Sequence, residues 1–359
     1  MREPISRRGF LALSARAFPV SLASLVLAAC ARGSRGHTHP SVHNGPIGPG
    51  LQGVDNVLEN VEGERLFPGG IAQLGGSQLY AVYQHTPPNA SPYIRGRLLA
   101  DLGATAETEE DIFDGVSIDP SVATLATGET VILIHNSGID WLTTRLPGPK
   151  FTTPVAIGAA GESMMSNVNG RVFVAFAQAS ATNPFSIPIF CREVLSATTA
   201  GPAFDTGARA GAAESGGSSA QKRASIGGIG RSDLLLAWDQ PQTSQGGYRS
   251  VWVARSSDGG RTWFGHRKVA DTGRDLRNPF VLGVSDVETR VYYVQGGTQP
   301  LGEVRTRDGG GTWSAPKAVL IPPTIVGAPR PSFFQTGGTI YCFTSLGSGG
   351  NALSIFRVP

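Results

Sequence analysis

Ser256-Ser257-Asp258-Gly259-Gly260-Arg261-Thr262-Trp263 returns fifty residues later as Thr306-Arg307-Asp308-Gly309-Gly310-Gly311-Thr312-Trp313. Ser256, Asp258, Gly260, Thr262 and Trp263 thus have counterparts in Thr306, Asp308, Gly310, Thr312 and Trp313. The chemistry is that of a strand-connecting turn: a short acceptor takes backbone N–H bonds, glycines accept positive φ, and the terminal indole packs back onto a sheet. Two copies in frame, each preceded by alternating apolar residues, point to a repeat fold. Such a turn is architecture before it is function.

Outward from the octapeptides, a weaker unit recurs: a short apolar strand, a polar turn, then a strongly β-prone strand. The pairs are residues 70–74 with 78–83, 121–125 with 130–134, 165–168 with 171–176, 225–229 with 233–238, 278–282 with 289–294, and 331–334 with 339–343. Six inner pairs predict an all-β, six-bladed β-propeller over residues 51–359. No amphipathic helical pattern interrupts them, which excludes a βαβ fold, and the period is longer and less regular than that of a solenoid. The last blade has room for three strands, so its fourth is expected from the N-terminal side, around Val54 to Val61, closing the ring. Residues 147–151 read as a decayed turn of the octapeptide type, and Thr206 to Gln221, rich in Ala, Gly and Ser, as a long loop between blades three and four.

The octapeptides resemble the Asp-box, or BNR repeat, of sialidase-like β-propellers. In that family the box lies at the blade periphery, away from substrate. The resemblance also implies a hydrolytic set: three arginines that grip a carboxylate, a tyrosine activated by a glutamate, and an aspartate acting as acid and base. Arg65, in Glu64-Arg65-Leu66-Phe67-Pro68, stands near the first family arginine but displaced from it. Residues 84–89 contain no carboxylate, Arg223-Ala224-Ser225 occupies the place of the glutamate, and Arg330-Pro331-Ser332 that of the tyrosine. The standard set is therefore not recognisable, and Tyr292, Tyr293 and Tyr341 read as packing residues.

Arg65, Arg223, Arg277 and Arg330 each lie just ahead of an inner strand, positions that converge on the mouth of a propeller channel, and are the candidate substrate-binding residues. Asp114, Asp119 and Glu162 take related positions in blades two and three and are the candidate catalytic carboxylates. A positive sector facing a negative one suits an anionic or polyhydroxylated sugar. Alternatively these charges pair across the channel and seal it. The expected function is carbohydrate recognition, with sialidase-like glycoside hydrolysis by altered residues left open. A non-catalytic protein-interaction scaffold of the envelope is the second reading.

At the N-terminus, Ser6-Arg7-Arg8-Gly9-Phe10-Leu11 and an apolar run ending Leu27-Ala28-Ala29-Cys30 resemble a twin-arginine export signal joined to a lipobox. The resemblance implies a signal peptide over residues 1–29 and a lipid anchor on Cys30. Ala31 follows, which by the same resemblance favours the outer membrane or cell surface. Residues 30–50 read as a flexible tether. It holds His37, His39 and His43, weak candidates for a soft metal ion set against a solvated His-rich linker. Charged residues make up 16% of the chain and the formal net charge is +3, too little for a nucleic-acid face. No cofactor motif is present, a monomer is expected, and Cys191 and Cys342, placed in blades three and six, are expected to be buried free thiols.

Overall fold

The second strand of every repeat is a continuous apolar run: Leu79–Tyr83, Val131–Ile134, Val172–Phe176, Leu234–Trp238, Val291–Tyr293 and Ile340–Phe343 are all buried. A strand with one solvated face would alternate, so these runs require packing on both faces. In the computed structural model each of them belongs to a blade wedged between two others. The structure describes residues 56–60, 65–75, 78–89, 91–100, 105–106, 109–115, 120–159, 163–178, 187–210, 224–243, 246–296, 301–319, 331–346 and 352–358. The signal-peptide segment, Cys30, the three tether histidines, Asp119, Glu162, Arg223 and Arg330 lie outside them.

Six antiparallel sheets form the propeller. Their inner strands are Arg65–Gly75, Ser121–Thr124, Ser163–Val168, Ala224–Ile229, Leu276–Gly283 and Ser332–Thr336. Each is followed by the apolar second strand, a third strand and a fourth, which in blades one to three is split into two short pieces. In blade six the outermost strand is Asn56–Asn60, paired antiparallel with Ala352–Arg357 from Asn56↔Ile355 to Asn60↔Ala352. The N-terminal closing strand thus falls where the sequence places it.

Five seams are filled by apolar clusters, such as Phe173, Ile189 and Cys191 against Ile226, Leu236 and Trp238 between blades three and four. Each fully buried large side chain contributes about 1.5–3 kcal/mol of transfer free energy. The seam between blades one and two carries a buried ion pair: Arg145 donates to Glu110 at 2.6 and 2.9 Å, and the Tyr80 hydroxyl donates to the same carboxylate at 2.6 Å. Serines latch the inner strands of neighbouring blades. Ser121 Oγ accepts from Met165 N, Ser225 Oγ accepts from Val281 N, and Ser332 Oγ donates to Gly69 O at 2.6 Å across the ring closure. The approach at these seams is close; a Cβ on Gly227 would stand 2.5 Å from Val281 Cγ1.

Both octapeptides fold into the same turn. Asp258 Oδ1 accepts from Thr262 N at 2.9 Å and its Oδ2 from the Thr262 hydroxyl at 2.6 Å; Asp308 repeats the pair with Thr312 at 2.8 and 2.7 Å. Ser256 Oγ and Thr306 Oγ1 each accept from the glycine four residues on, at 2.9 Å. Gly259, Gly260, Gly309 and Gly310 all have φ between 66° and 87°, the conformation that only glycine adopts without cost. Hydrogen bonds from Thr262 and from the Thr312 backbone, first among their causes, hold both carboxyls down at about 2. The second box leans on the preceding blade: Arg255 Nη1 of blade four donates to Gly309 O at 2.8 Å, and Arg267 reaches Gly310 O and Gly311 O.

The expected loop from Thr206 to Gln221 is corrected at its start: Thr206 to Ala210 belong to the last strand of blade three, Phe204–Ala210, and residues 211–221 lie outside the described ones. Thr206, Ala208 and Ala210 alternate inward, and their small size lets blade four approach, so a composition that reads as loop is a packing surface. Cys191 and Cys342 lie in blades three and six, both buried as free thiols; burial pushes Cys191 up to about 12 and Cys342 well above its ordinary value.

Candidate binding site at the channel mouth

Because every inner strand runs in the same sense around the axis, their first residues gather at one end of the central channel. Arg65 opens the blade-one strand and is exposed, two residues ahead of Phe67, itself 40% exposed. Arg277 lies on the inner strand of blade five. Asp114 does not belong to this group. It ends Glu110–Asp114, the outermost strand of blade one, where it pairs with Tyr93. Three strand spacings, about 14 Å, separate that edge from the inner strand. The sequence places Asp114 in blade two because the outer strand of blade one follows an additional short strand, Thr105–Ala106, which has no apolar signature.

Around Arg277 the structure assembles a set of charges that sequence reading misses. Asp239, 3% exposed, accepts from the backbone N–H of Asn278 at 3.1 Å and faces Arg249 Nε at 3.9 Å. Asp275 Oδ1 accepts from the Arg249 backbone N–H at 3.1 Å, while its other oxygen pairs with Arg277 Nε. Asn278 is buried with φ 51°, and the ladder slips between Arg277 and Phe280 at this point. A left-handed asparagine is tolerated where a local acceptor fixes its N–H, which is what Asp239 supplies. Two guanidiniums and two carboxylates thus stand together, and Arg277 keeps 35% of its side chain exposed.

A second buried set lies between blades two and three. Asp140, fully buried, accepts from the Ser163 hydroxyl at 2.6 Å and lies 3.0 Å from His135 Nδ1 across the Ser137-Gly138 turn. Serine, histidine and aspartate are all present, but the serine donates to the aspartate, not to the histidine, so the relay that activates a nucleophilic serine is not formed. Arg192, stacked 4.3 Å from the Phe176 ring, is shifted below its ordinary value chiefly by burial. A third set occupies blade one: the Tyr83 hydroxyl donates to Glu109 at 2.5 Å, with Arg95 Nε 3.8 Å and His85 Nδ1 3.9 Å from the same carboxylate.

The tyrosine–carboxylate pairs do not supply the nucleophile that the family resemblance implies. Tyr83 is 2% exposed within the apolar seam between blades six and one, and burial, first among its causes, shifts Tyr80 far above the ordinary phenol value. Tyr292, Tyr293 and Tyr341 are buried in the sheets. Among the described residues no three His, Cys, Asp or Glu side chains gather as a metal site. Each set is tied together by a link of 23 to 39 positions, Ser163 to Asp140, Tyr83 to Glu109 and Asn278 to Asp239, which no local motif announces.

Below the mouth, the channel holds a cavity of about 580 Å³ lined by all six inner strands, within the size range of small-molecule pockets. None of its lining residues is charged. The charges of the rim therefore do not line the shaft.

No protein-family model matches the chain, and no curated protein matches it in sequence. Solved structures do resemble it. An α-L-arabinanase of Penicillium chrysogenum complexed with arabinobiose is 14% identical at a TM-score of 0.60, over 84% of this chain and 98% of that one. The GH93 α-L-arabinofuranosidase of Fusarium graminearum, also solved with arabinobiose, is 12% identical at 0.61, over 84% and 97%. A protein of unknown function from Dyadobacter fermentans is 14% identical at 0.61, over 84% and 97%. The likeness at such identities is one of fold: a six-bladed propeller.

Proposed function

We propose that this chain recognises a saccharide at the channel mouth of blades four and five. The observation that carries the reading is the Asp239–Arg249–Asp275–Arg277 set. Arg277 and Asp275, 35% and 20% exposed, present N–H donors beside a carboxylate acceptor above the buried Arg249 and Asp239, and the set carries no net formal charge. Such an array matches the hydroxyls of a neutral sugar, which both donate and accept, better than it matches an anion. The propeller neighbours solved with arabinobiose support a neutral pentose-containing ligand.

The test is a glycan array with the chain from residue 31, beside release of 4-methylumbelliferone from its α-L-arabinofuranoside, its sialoside and a panel of neutral glycosides. Retention of neutral glycans, reduced at least tenfold by Arg277→Ala, is the expected result. Turnover of the arabinofuranoside would extend the reading to hydrolysis. Silence in every assay, or Arg277→Ala binding as the unaltered chain does, overturns it in favour of a protein-binding scaffold.

We further propose export of the chain and anchoring through a lipid on Cys30. The support is the Ser6–Leu11 and Leu27–Cys30 motifs. Cys30→Ser is expected to abolish incorporation of a labelled fatty acid. Unchanged labelling refutes the anchor.

A further inference from the structure

The uncharged shaft has two different walls. On blades one, five and six, the half-buried lining residues include Ile71, Leu74, Phe280, Leu282 and Phe334. On blades two, three and four, the half-buried or exposed ones are Thr124, Ser166, Asn167, Asn169 and Gly228, while the larger apolar residues there, Met164, Met165 and Ile226, are buried. The larger apolar side chains thus gather on one side, where Gln73 and Gln335 stand among them, and hydroxyls and amides on the other. The rings on the apolar side are held in place: Phe334 stacks on Tyr341 at 5.4 Å and Phe280 packs on Phe333 at 5.4 Å. Across from them, the Ser166 hydroxyl is buried with no hydrogen-bond partner among the described residues.

We propose that the shaft is a second ligand site, distinct from the saccharide seat at the mouth, and that it takes a neutral aromatic molecule with one hydrogen-bonding edge. Three features select this class. A 580 Å³ cavity accommodates a two- or three-ring molecule. Fixed phenyl rings favour a flat apolar partner over a flexible chain. The lack of any charged lining residue leaves an ionised ligand without a counter-charge, which disfavours it. The exposed Asn167 and Asn169 side chains give the ligand's polar edge a partner.

The test uses the full chain and two near-isosteric fluorescent probes, neutral N-phenyl-1-naphthylamine and its sulfonated relative 8-anilinonaphthalene-1-sulfonate. The neutral probe is expected to bind saturably with one site, at least tenfold more tightly than the sulfonate. Ser166→Phe, which adds a ring at a lining position and breaks no hydrogen bond, should weaken it at least tenfold in a variant that still unfolds cooperatively. Arg277→Ala, at the mouth, should leave it unaltered, so that failure of the saccharide reading and failure of this one are told apart. Equal affinity for the two probes in the unaltered chain, no saturable binding, or a folded Ser166→Phe variant that binds as well as the parent each overturns the proposal. Should Ser166→Phe not fold, the comparison of the two probes on the unaltered chain decides alone.

Discussion

Replacing Arg145 by methionine removes the cation from the seam between blades one and two while keeping most of the side-chain volume. Glu110, 7% exposed, is then left with only the Tyr80 hydroxyl, 2.6 Å away, as a partner. Breaking a buried pair by deleting one partner costs about 3–5 kcal/mol. The loss of the guanidinium packed 4.9 Å from the Tyr80 ring adds to this in the same direction. For a domain of this size about 2 °C of melting temperature accompanies each kcal/mol, so Arg145→Met should melt roughly 6–10 °C lower. Adding Glu110→Gln removes the stranded charge and lets Tyr80 donate to an amide oxygen, so the double variant should recover to within about 1–2 kcal/mol of the parent. Urea unfolding of parent, both singles and the double, fitted as a cycle, measures the coupling directly. An Arg145→Met variant within about 1 kcal/mol of the parent would refute the view that this ion pair holds the seam.

The boxes make a pH-dependent prediction. Both Asp258 and Asp308 are held below the usual carboxylate value, at about 2, so their contribution is complete above about pH 4 and is lost as pH falls towards 2. The melting temperature of the parent should fall faster across that window than that of an Asp258→Asn/Asp308→Asn variant, and parallel curves would count against it. Cys191 and Cys342, kept as thiols by burial, should ignore Ellman's reagent at pH 8 until the domain unfolds, whereas immediate reaction in the native state would contradict their placement. Deleting residues 51–62 removes the strand paired with Ala352–Arg357 and should abolish the cooperative thermal transition; a deletion that melts like the parent sinks the closure.

What was legible in the sequence was whatever repeats. The octapeptides located two turns, the apolar second strands located six blades, and the shortage of strands after Thr339 pointed to Asn56–Asn60. The misreadings have a common physical origin. Thr206 to Ala210 reads as linker because small residues serve both flexible loops and tight sheet packing. Asp114 was assigned to the wrong blade because Thr105–Ala106 is too short to show a pattern. The mouth was hardest to read. Arg277 was visible ahead of its strand, yet nothing local ties it to Asp239, Arg249 or the left-handed Asn278. Those contacts exist only after two blades have docked. The serine latches sit between these extremes: Ser121, Ser225 and Ser332 recur early in the inner strands of alternate blades, a signal visible once the ring is assumed.

The pairing of Asn56 with Ile355 has a kinetic side. Blades one to five complete themselves from neighbouring residues and are able to form as the chain emerges. The strand Asn56–Asn60, synthesised before all six inner strands, has no partner until Ala352–Arg357 exists, and the Ser332 to Gly69 latch spans 263 residues. Contacts of such separation are slow to form, and until they do the growing molecule is an open crescent in which blade six keeps a bare edge at Ala352–Arg357 and Asn56–Asn60 stays an unpaired strand, each a template for pairing with another chain. Assembly therefore ends with a race between the two tips of one crescent and the edges of its neighbours, so the yield of closed rings should fall as refolding concentration rises, while their stability once closed does not.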